Sequence, residues 1–100
     1  MADPSQELQA LDLVVGRVVA ASEHPGSRAP SLLLTVDLGP RGERQASVLS
    51  PNYEPRELVG RQVVCAVGDE DAVVLGAHSH AAGIVLVAPD REVEDGTAVA

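Results

Sequence analysis

Valine and leucine recur along this chain in short runs that glycine or proline interrupts. Apolar residues make up 45% of the 100 residues, yet there is no Phe and no Trp, and Tyr53 is the only aromatic residue. Branched valine side chains fit the pleated surface of a sheet better than they fit a helix. A chain of this length suits one domain. The sequence therefore predicts a single all-β domain over residues 1–100.

The runs predict six strands, with one short helix before the first strand and another after the third. Asp3 and Pro4 are typical of a helix start, and Pro55 and Gly60 bound the second helix. Gly16 predicts a bend or bulge in the first strand. The predicted strands are residues 13–21, 31–38, 43–49, 61–67, 72–77 and 83–88. This order fits a five-stranded Greek-key β-barrel with a helix after strand three.

The charge balance disfavours nucleic acid as a partner. The chain carries 15 acidic and 7 basic residues, for a net charge of -8. Such acidity repels phosphate backbones at long range. The N-terminal residues lack the features of a signal peptide, and no apolar run approaches the ~18 residues of a membrane span. We therefore expect a cytoplasmic protein that does not enter a membrane.

Cysteine and histidine predict no metal site, and no motif predicts catalysis. Cys65 is the only cysteine, so an intrachain disulfide is excluded, and its apolar neighbours favour a buried thiol. His78 and His80 lie two residues apart, but a structural metal site normally needs four ligands. The sequence contains no nucleophile elbow, P-loop or dinucleotide fingerprint. We expect no enzyme activity and no cofactor.

Several short motifs resemble those of the tRNA-binding-domain family of OB-folds. Leu11–Val18 is similar to the family motif D-x-R-V-G-x-I, and His24-Pro25 matches the H-P that follows it. Val36–Gly39 matches V-D-L-G, and Arg44-Gln45 with Ser47 is similar to R-Q-x-x-S. Tyr53–Gly60 is similar to Y-x-P-E-x-L-x-G. The stretch Arg28–Ser31 and the order of motifs from Leu75 to Gly96 resemble the CsaA branch of that family. The resemblance covers almost the whole chain and implies an OB-fold.

The resemblance to the CsaA branch implies a homodimeric, export-related chaperone that binds unfolded polypeptide, whereas other members of the family bind tRNA. Dimerisation in that branch uses the N-terminal helix and the C-terminal extension. These correspond to Asp3–Leu11 and Arg91–Ala100 here. The resemblance therefore predicts that four apolar residues of these segments lie at the dimer interface: Leu8, Leu11, Val93 and Val99.

Departures from the family pattern separate two hypotheses for the partner. Asp69-Glu70-Asp71 replaces a longer basic loop, and the aromatic rings that stack on bases are missing. These changes favour unfolded polypeptide or a protein partner. The alternative is weak tRNA binding through a basic patch with a neighbouring hydroxyl, formed by Arg28, Arg41, Arg44 and Ser47. The same arginines are also consistent with solvated side chains that pair with nearby carboxylates, and a diverged role specific to the host stays open.

Overall fold

Seven strands and two short helices make up the part of the chain that the computed structural model describes, residues 3–24, 31–49 and 52–100. In chain order they are α1 (Pro4–Ala10), β1 (Leu13–Glu23), β2 (Leu32–Asp37), β3 (Glu43–Val48), α2 (Pro55–Leu58), β4 (Gln62–Val67), β5 (Ala72–Val74), β6 (Gly76–Ser79) and β7 (Gly83–Leu86). A single turn of 3-10 helix, Gly39–Arg41, joins β2 to β3.

Five of the strands form one antiparallel sheet in the order β3-β2-β1-β4-β5. The long strand β1 lies at the centre of this sheet, since its first residues pair with β4 and its later residues pair with β2. The two end strands, β3 and β5, lie side by side, which nearly closes the sheet into a barrel. The strands β6 and β7 form a separate hairpin. This architecture confirms the predicted all-β OB-fold with a helix at the N-terminus.

The barrel interior is built from branched aliphatic side chains and contains no aromatic ring among its fully buried members. The largest of these are Leu34, Leu38, Leu58, Val14, Val18 and Val36. Leu58 projects from α2, the helix between β3 and β4, and belongs to the same buried cluster. The short second helix therefore supplies part of the core.

Gly16 does not carry the irregularity that the sequence predicts for the first strand. The register between β1 and β2 shifts instead between Val18 and Ala20. A Cβ atom at Gly16 would overlap the side chains of Val36 and Leu38. The glycine is needed because β2 and the turn after it pack directly against the backbone of β1.

The predicted fifth strand, residues 72–77, is divided between two sheets. β5 ends at Val74, and β6 begins at Gly76 and pairs with β7. The N–H of Leu75 still donates to the carbonyl of Val64 at 2.9 Å, and the chain leaves β4 after that bond. A Cβ atom at Gly76 would lie 2.7 Å from Cγ2 of Ile84, so the hairpin depends on this glycine.

The C-terminal segment pairs with the first half of β1. The N–H of Val15 donates to the carbonyl of Thr97 at 2.8 Å, and the N–H of Gly96 donates to the carbonyl of Val15 at 2.7 Å. The N–H of Val99 donates to the carbonyl of Leu13 at 2.9 Å. β2 pairs only with the later residues of β1, so this segment occupies the edge that β2 leaves open.

Candidate binding groove

Residues of β2 and β3 alternate between the barrel interior and its outer surface, as side chains do along any strand. The buried residues are Leu34, Val36, Ala46 and Val48. The residues of the alternate register, which are exposed or half-buried, are Leu33, Thr35, Gln45 and Ser47. The outer surface of β3 is therefore polar and borders the gap between β3 and β5.

Two adjoining cavities lie where this surface meets β5 and the turn at residues 68–71. The smaller has a volume of about 310 Å³ and is lined by Leu33, Gln45, Ala46, Ser47, Asp71, Ala72 and Val73. The larger has a volume of about 590 Å³ and is lined by Thr35, Glu43, Arg44, Gln45, Glu70 and Asp71. Because Gln45 and Asp71 line both cavities, we treat them as one continuous depression, the β3–β5 groove.

Backbone groups on both sides of the groove lack partners in the sheet. The N–H of Leu38 donates to the carbonyl of Gly42 at 2.8 Å, which fixes the hydrogen-bonded positions of β3 at residues 44, 46 and 48. The backbone groups of Gln45 and Ser47 therefore point away from β2. The N–H of Gly68 donates to the carbonyl of Asp71 at 2.9 Å, so by the same rule those of Ala72 point away from β4. These donors and acceptors face the gap.

Acidic side chains dominate the larger cavity. Its carboxylates come from Glu43, Glu70 and Asp71, and Arg44 is the one cationic residue that lines it among those the structure describes. The salt bridges found among the described residues do not include any of these four side chains. Nη1 of Arg44 donates to the carbonyls of Arg41 and Glu43, both at 3.2 Å. The cavity therefore holds an excess of negative charge that has no countercharge within the described chain.

The predicted basic patch is placed only in part. Arg28 lies outside the described residues. The guanidinium of Arg41 donates to both carboxylate oxygens of Asp12, at 2.8 and 2.5 Å. This hydrogen bond lowers the pKa of Asp12 and raises that of Arg41. Arg41 is thus neutralised by a residue at the start of the barrel, 29 positions earlier in the chain.

Arg44 and Ser47 both border the β3–β5 groove but from different faces of β3. They are three residues apart, so their side chains start on opposite sides of the strand. Arg44 lines the larger cavity, and Ser47 lines the smaller one. The structure brings these two residues to one groove without Arg41, and the binding role of all four residues stays a prediction.

A polar cluster that was not predicted from the sequence lies around Arg17 on β1. Nε of Arg17 donates to both carboxylate oxygens of Asp95, at 3.2 and 3.3 Å, and its Nη1 donates to the carbonyl of Gly60 at 2.9 Å. Nη2 of Arg17 donates to Glu92 at 2.5 Å, and Nε2 of Gln62 donates to Asp95 at 2.9 Å. Arg17 and Gln62 are paired across β1 and β4. Arg17 interrupts the apolar run of β1, which is the signal that was available in the sequence.

A third cavity, of about 320 Å³, adjoins this polar cluster. Arg61 and Arg91 line it beside Arg17, and so do the carboxylates of Asp90 and Glu92. Nε of Arg91 lies 3.9 Å from the carboxylate of Asp90. The positive and negative side chains nearly balance here, so the cavity offers no clear preference for an anion.

The four predicted dimer residues have different surroundings. α1 has no buried residue, Leu8 is half-buried, and Leu11 is 55% exposed. Val93 is half-buried, and its N–H donates to Oε1 of Gln62 at 3.1 Å. Val99 is half-buried beside β1. Dimerisation through these residues stays a prediction.

Metal ligands do not gather in the described segments, where no group of three His, Cys, Asp or Glu side chains is placed to hold an ion. His78 and His80 are exposed on the hairpin of β6 and β7. Cys65 is buried in the core, and this burial raises the pKa of its thiol to about 11. None of the helices in the described segments has the length and apolar character needed to cross a membrane.

Comparison of the sequence with known proteins finds archaeal methionine–tRNA ligases. That of Methanothrix thermoacetophila is 38% identical over an alignment of 104 positions, which includes 96% of this chain and 15% of the ligase. That of Methanosphaerula palustris is 33% identical and matches 96% of this chain and 16% of the ligase. This chain thus spans about 15% of the length of these relatives. Comparison with models of protein families gave no match.

Solved structures with the same fold include two CsaA chaperones and a protein related to methionyl-tRNA synthetase. The CsaA of Picrophilus torridus has a TM-score of 0.89 at 23% identity, and the protein from Pyrococcus horikoshii has a TM-score of 0.82 at 20% identity, which establishes the fold alone. The CsaA of Bacillus anthracis has a TM-score of 0.88 and is 31% identical over 100% of this chain and 99% of its own. With this full-length match, the chain belongs to the tRNA-binding-domain family of OB-folds, in which CsaA is among its relatives.

Proposed function

We propose that this chain is a non-catalytic, CsaA-like module that binds unfolded polypeptide or a protein partner in the β3–β5 groove, as an export-related chaperone of the cytoplasm. The observation that carries the proposal is the composition of this groove. It combines the half-buried Leu33 and the exposed Val73 with three carboxylates that form no salt bridge among the described residues, and with backbone groups that the sheet leaves unpaired. Extended polypeptide uses apolar contacts and backbone hydrogen bonds of this kind.

The surroundings of Tyr53 argue against single-stranded nucleic acid as the principal ligand. OB-folds hold single strands by stacking bases on aromatic rings and by pairing phosphates with cations. Tyr53 is the only aromatic residue, and it is half-buried against the core. Its hydroxyl accepts a hydrogen bond from the N–H of Leu86 at 3.2 Å. Its ring therefore supports the fold, while the carboxylates of the groove repel phosphate.

The second candidate function is tRNA binding through Arg28, Arg41, Arg44 and Ser47. It is favoured by the 38% identity to a methionine–tRNA ligase and by the family to which the chain belongs. Three arginines neutralise at most three phosphates. The logarithm of the binding constant would then fall with the logarithm of salt concentration with a slope of about -3. Such binding is detectable at low salt and lost near physiological salt.

Fluorescence anisotropy with labelled ligands tests the two functions side by side. The ligands are a basic unfolded protein (reduced, alkylated lysozyme), an acidic one (reduced, carboxymethylated α-lactalbumin) and tRNA, all at about 50 mM salt, where phosphate contacts are strong. We expect saturable binding of unfolded protein and little binding of tRNA. Tight tRNA binding that Arg44→Glu abolishes, and that the matched charge change Arg56→Glu on α2 leaves intact, would establish the second function instead.

We also propose that the chain acts as a homodimer through Leu8, Leu11, Val93 and Val99. Leu11 and Leu49 are each 55% exposed, so a charge at either position leaves the core intact. Light scattering of the full chain should report a dimer, Leu11→Glu should give a monomer, and Leu49→Glu should remain dimeric. A dimer that survives Leu11→Glu, and also survives deletion of residues 1–11, would place the interface elsewhere.

A further inference from the structure

The smaller cavity of the β3–β5 groove presents an apolar surface. Val73 is 61% exposed, the most exposed of the large apolar residues in the described chain. It lines this cavity together with the half-buried Leu33 and the buried Ala46 and Ala72. Covering Val73 removes apolar surface from water, so an apolar side chain of a ligand is favoured at this end.

The larger cavity presents unpaired carboxylates. Elsewhere in the described chain several exposed carboxylates pair with an arginine, as Asp12 does with Arg41. Glu43, Glu70 and Asp71 line one cavity, and none of them pairs with an arginine of residues 3–24, 31–49 or 52–100. Against the single charge of Arg44, three negative charges leave an excess of two. A cationic side chain is the complementary ligand at this end.

The geometry of β3 sets the distance between the two ends. Ser47 lines the apolar cavity and Glu43 lines the acidic cavity, and both face out from the same strand. Four residues of strand span about 13 Å. Side chains on one face of an extended ligand recur about every 7 Å. A ligand that follows β3 therefore presents side chains of one face to both cavities when these side chains are two or four residues apart.

We propose that the β3–β5 groove selects extended polypeptide segments in which an apolar side chain lies two or four residues from an arginine or lysine on the same face. This selectivity rests on the polypeptide binding proposed above and adds to it the chemical class of the segment. Segments rich in Asp or Glu, and phosphate-bearing ligands, are disfavoured by the same carboxylates.

A labelled nine-residue peptide tests the selectivity by anisotropy. It carries one central leucine and arginines two and four residues away on each side, with serine elsewhere. We expect this peptide to bind, the version with glutamate in place of arginine to bind at least tenfold more weakly, and the version with serine in place of leucine to bind several-fold more weakly. Amide shifts in ¹⁵N spectra should concentrate at Gln45, Ser47 and Val73. Equal binding of the arginine and glutamate peptides would overturn the proposal.

A matched pair of variants separates the groove from the net charge of the protein. Glu70→Gln and Asp69→Asn each remove one negative charge from the same turn, but Asp69 does not line either cavity of the groove. A unit charge about 6 Å away in water changes the affinity about threefold. We expect Glu70→Gln to weaken binding of the arginine peptide by about that factor and Asp69→Asn to change it less than 1.5-fold. Equal losses would assign the attraction to overall charge and refute the site.

The apolar end has its own matched pair. Val73→Thr keeps the shape of the side chain, while Val19→Thr makes the same change on β1, outside the groove. Only Val73→Thr should weaken binding of the leucine peptide.

Binding of the two unfolded proteins distinguishes a failure of the proposed selectivity from a failure of the proposed polypeptide binding. If only the acidic protein binds, polypeptide binding stands and the selectivity is wrong. If neither protein binds, both proposals fail.

Discussion

Leu58 offers a quantitative test of how the barrel is closed. Its side chain is 0% exposed and belongs to the core cluster, although it comes from a helix of only four residues. Truncating a fully buried leucine to alanine lowers the free energy of unfolding by about 3 kcal/mol. For 100 residues the entropy of unfolding is about 0.21 kcal/mol/K. Leu58→Ala should therefore lower Tm by about 14 °C.

Thermal unfolding followed by circular dichroism measures this change, and urea titration at 25 °C gives the free energy directly. Leu49→Ala is the matched control, because Leu49 is 55% exposed and its truncation should shift Tm by less than about 3 °C. If Leu58→Ala lowers Tm by less than about 5 °C, α2 does not seal the core. Equal Tm shifts for Leu58→Ala and Leu49→Ala would likewise show that α2 does not seal the core.

Three further perturbations test individual contacts. Gly16→Ala places a methyl group against Val36 and should lower the free energy of unfolding by about 1–3 kcal/mol in urea titrations. Asp12→Asn releases Arg41 from its ion pair, so residual tRNA binding should strengthen and its salt slope should steepen by about 0.9 in anisotropy titrations. Burial raises the pKa of the Cys65 thiol to about 11, so the unfolded chain loses this proton first. The free energy of unfolding should consequently fall as pH rises from about 9 towards 11, and iodoacetamide should not modify the native thiol at pH 8.

The strands were predictable because their local pattern and their tertiary role agree. In β2 the apolar run predicted the strand but not its faces, since Leu32, Leu33 and Leu34 are consecutive, and the structure buries Leu32, Leu34 and Val36 while leaving Leu33 half-buried. The predicted span of 43–49 corresponds to the observed Glu43–Val48. Side chains with period two specify which face is buried, so the register follows once the turns are placed.

The division of the predicted fifth strand depends on a contact that local sequence does not contain. Gly76 is required by the close approach of Ile84, eight residues later, and by the hairpin that this approach permits. Gly16 is similar, since the residues that exclude a side chain there belong to β2 and the turn beyond it. In both places the glycine was visible in the sequence, but its partner was not.

The candidate site divides in the same way. Period two along a strand already implies that Arg44 and Ser47 begin on opposite faces, so this part was available from the sequence. The pairing of Arg41 with Asp12 could not be predicted from the sequence, because it joins the residue just before β1 to the turn between β2 and β3. The cluster of Arg17, Gln62 and Asp95 spans 78 positions and likewise needs the fold.

The acidic turn between β4 and β5 links the shape of the barrel to the choice of partner. The N–H of Gly68 bonds the carbonyl of Asp71 at 2.9 Å, which makes the turn tight and brings β5 back directly after β4. The same tightness places the side chains of Glu70 and Asp71 over the outer surface of β3. The valine and leucine core does not depend on these carboxylates, since none of them contributes to it. In this barrel the fold therefore follows from the interior residues, while the sign of the charge presented to a ligand follows from the length and composition of one turn.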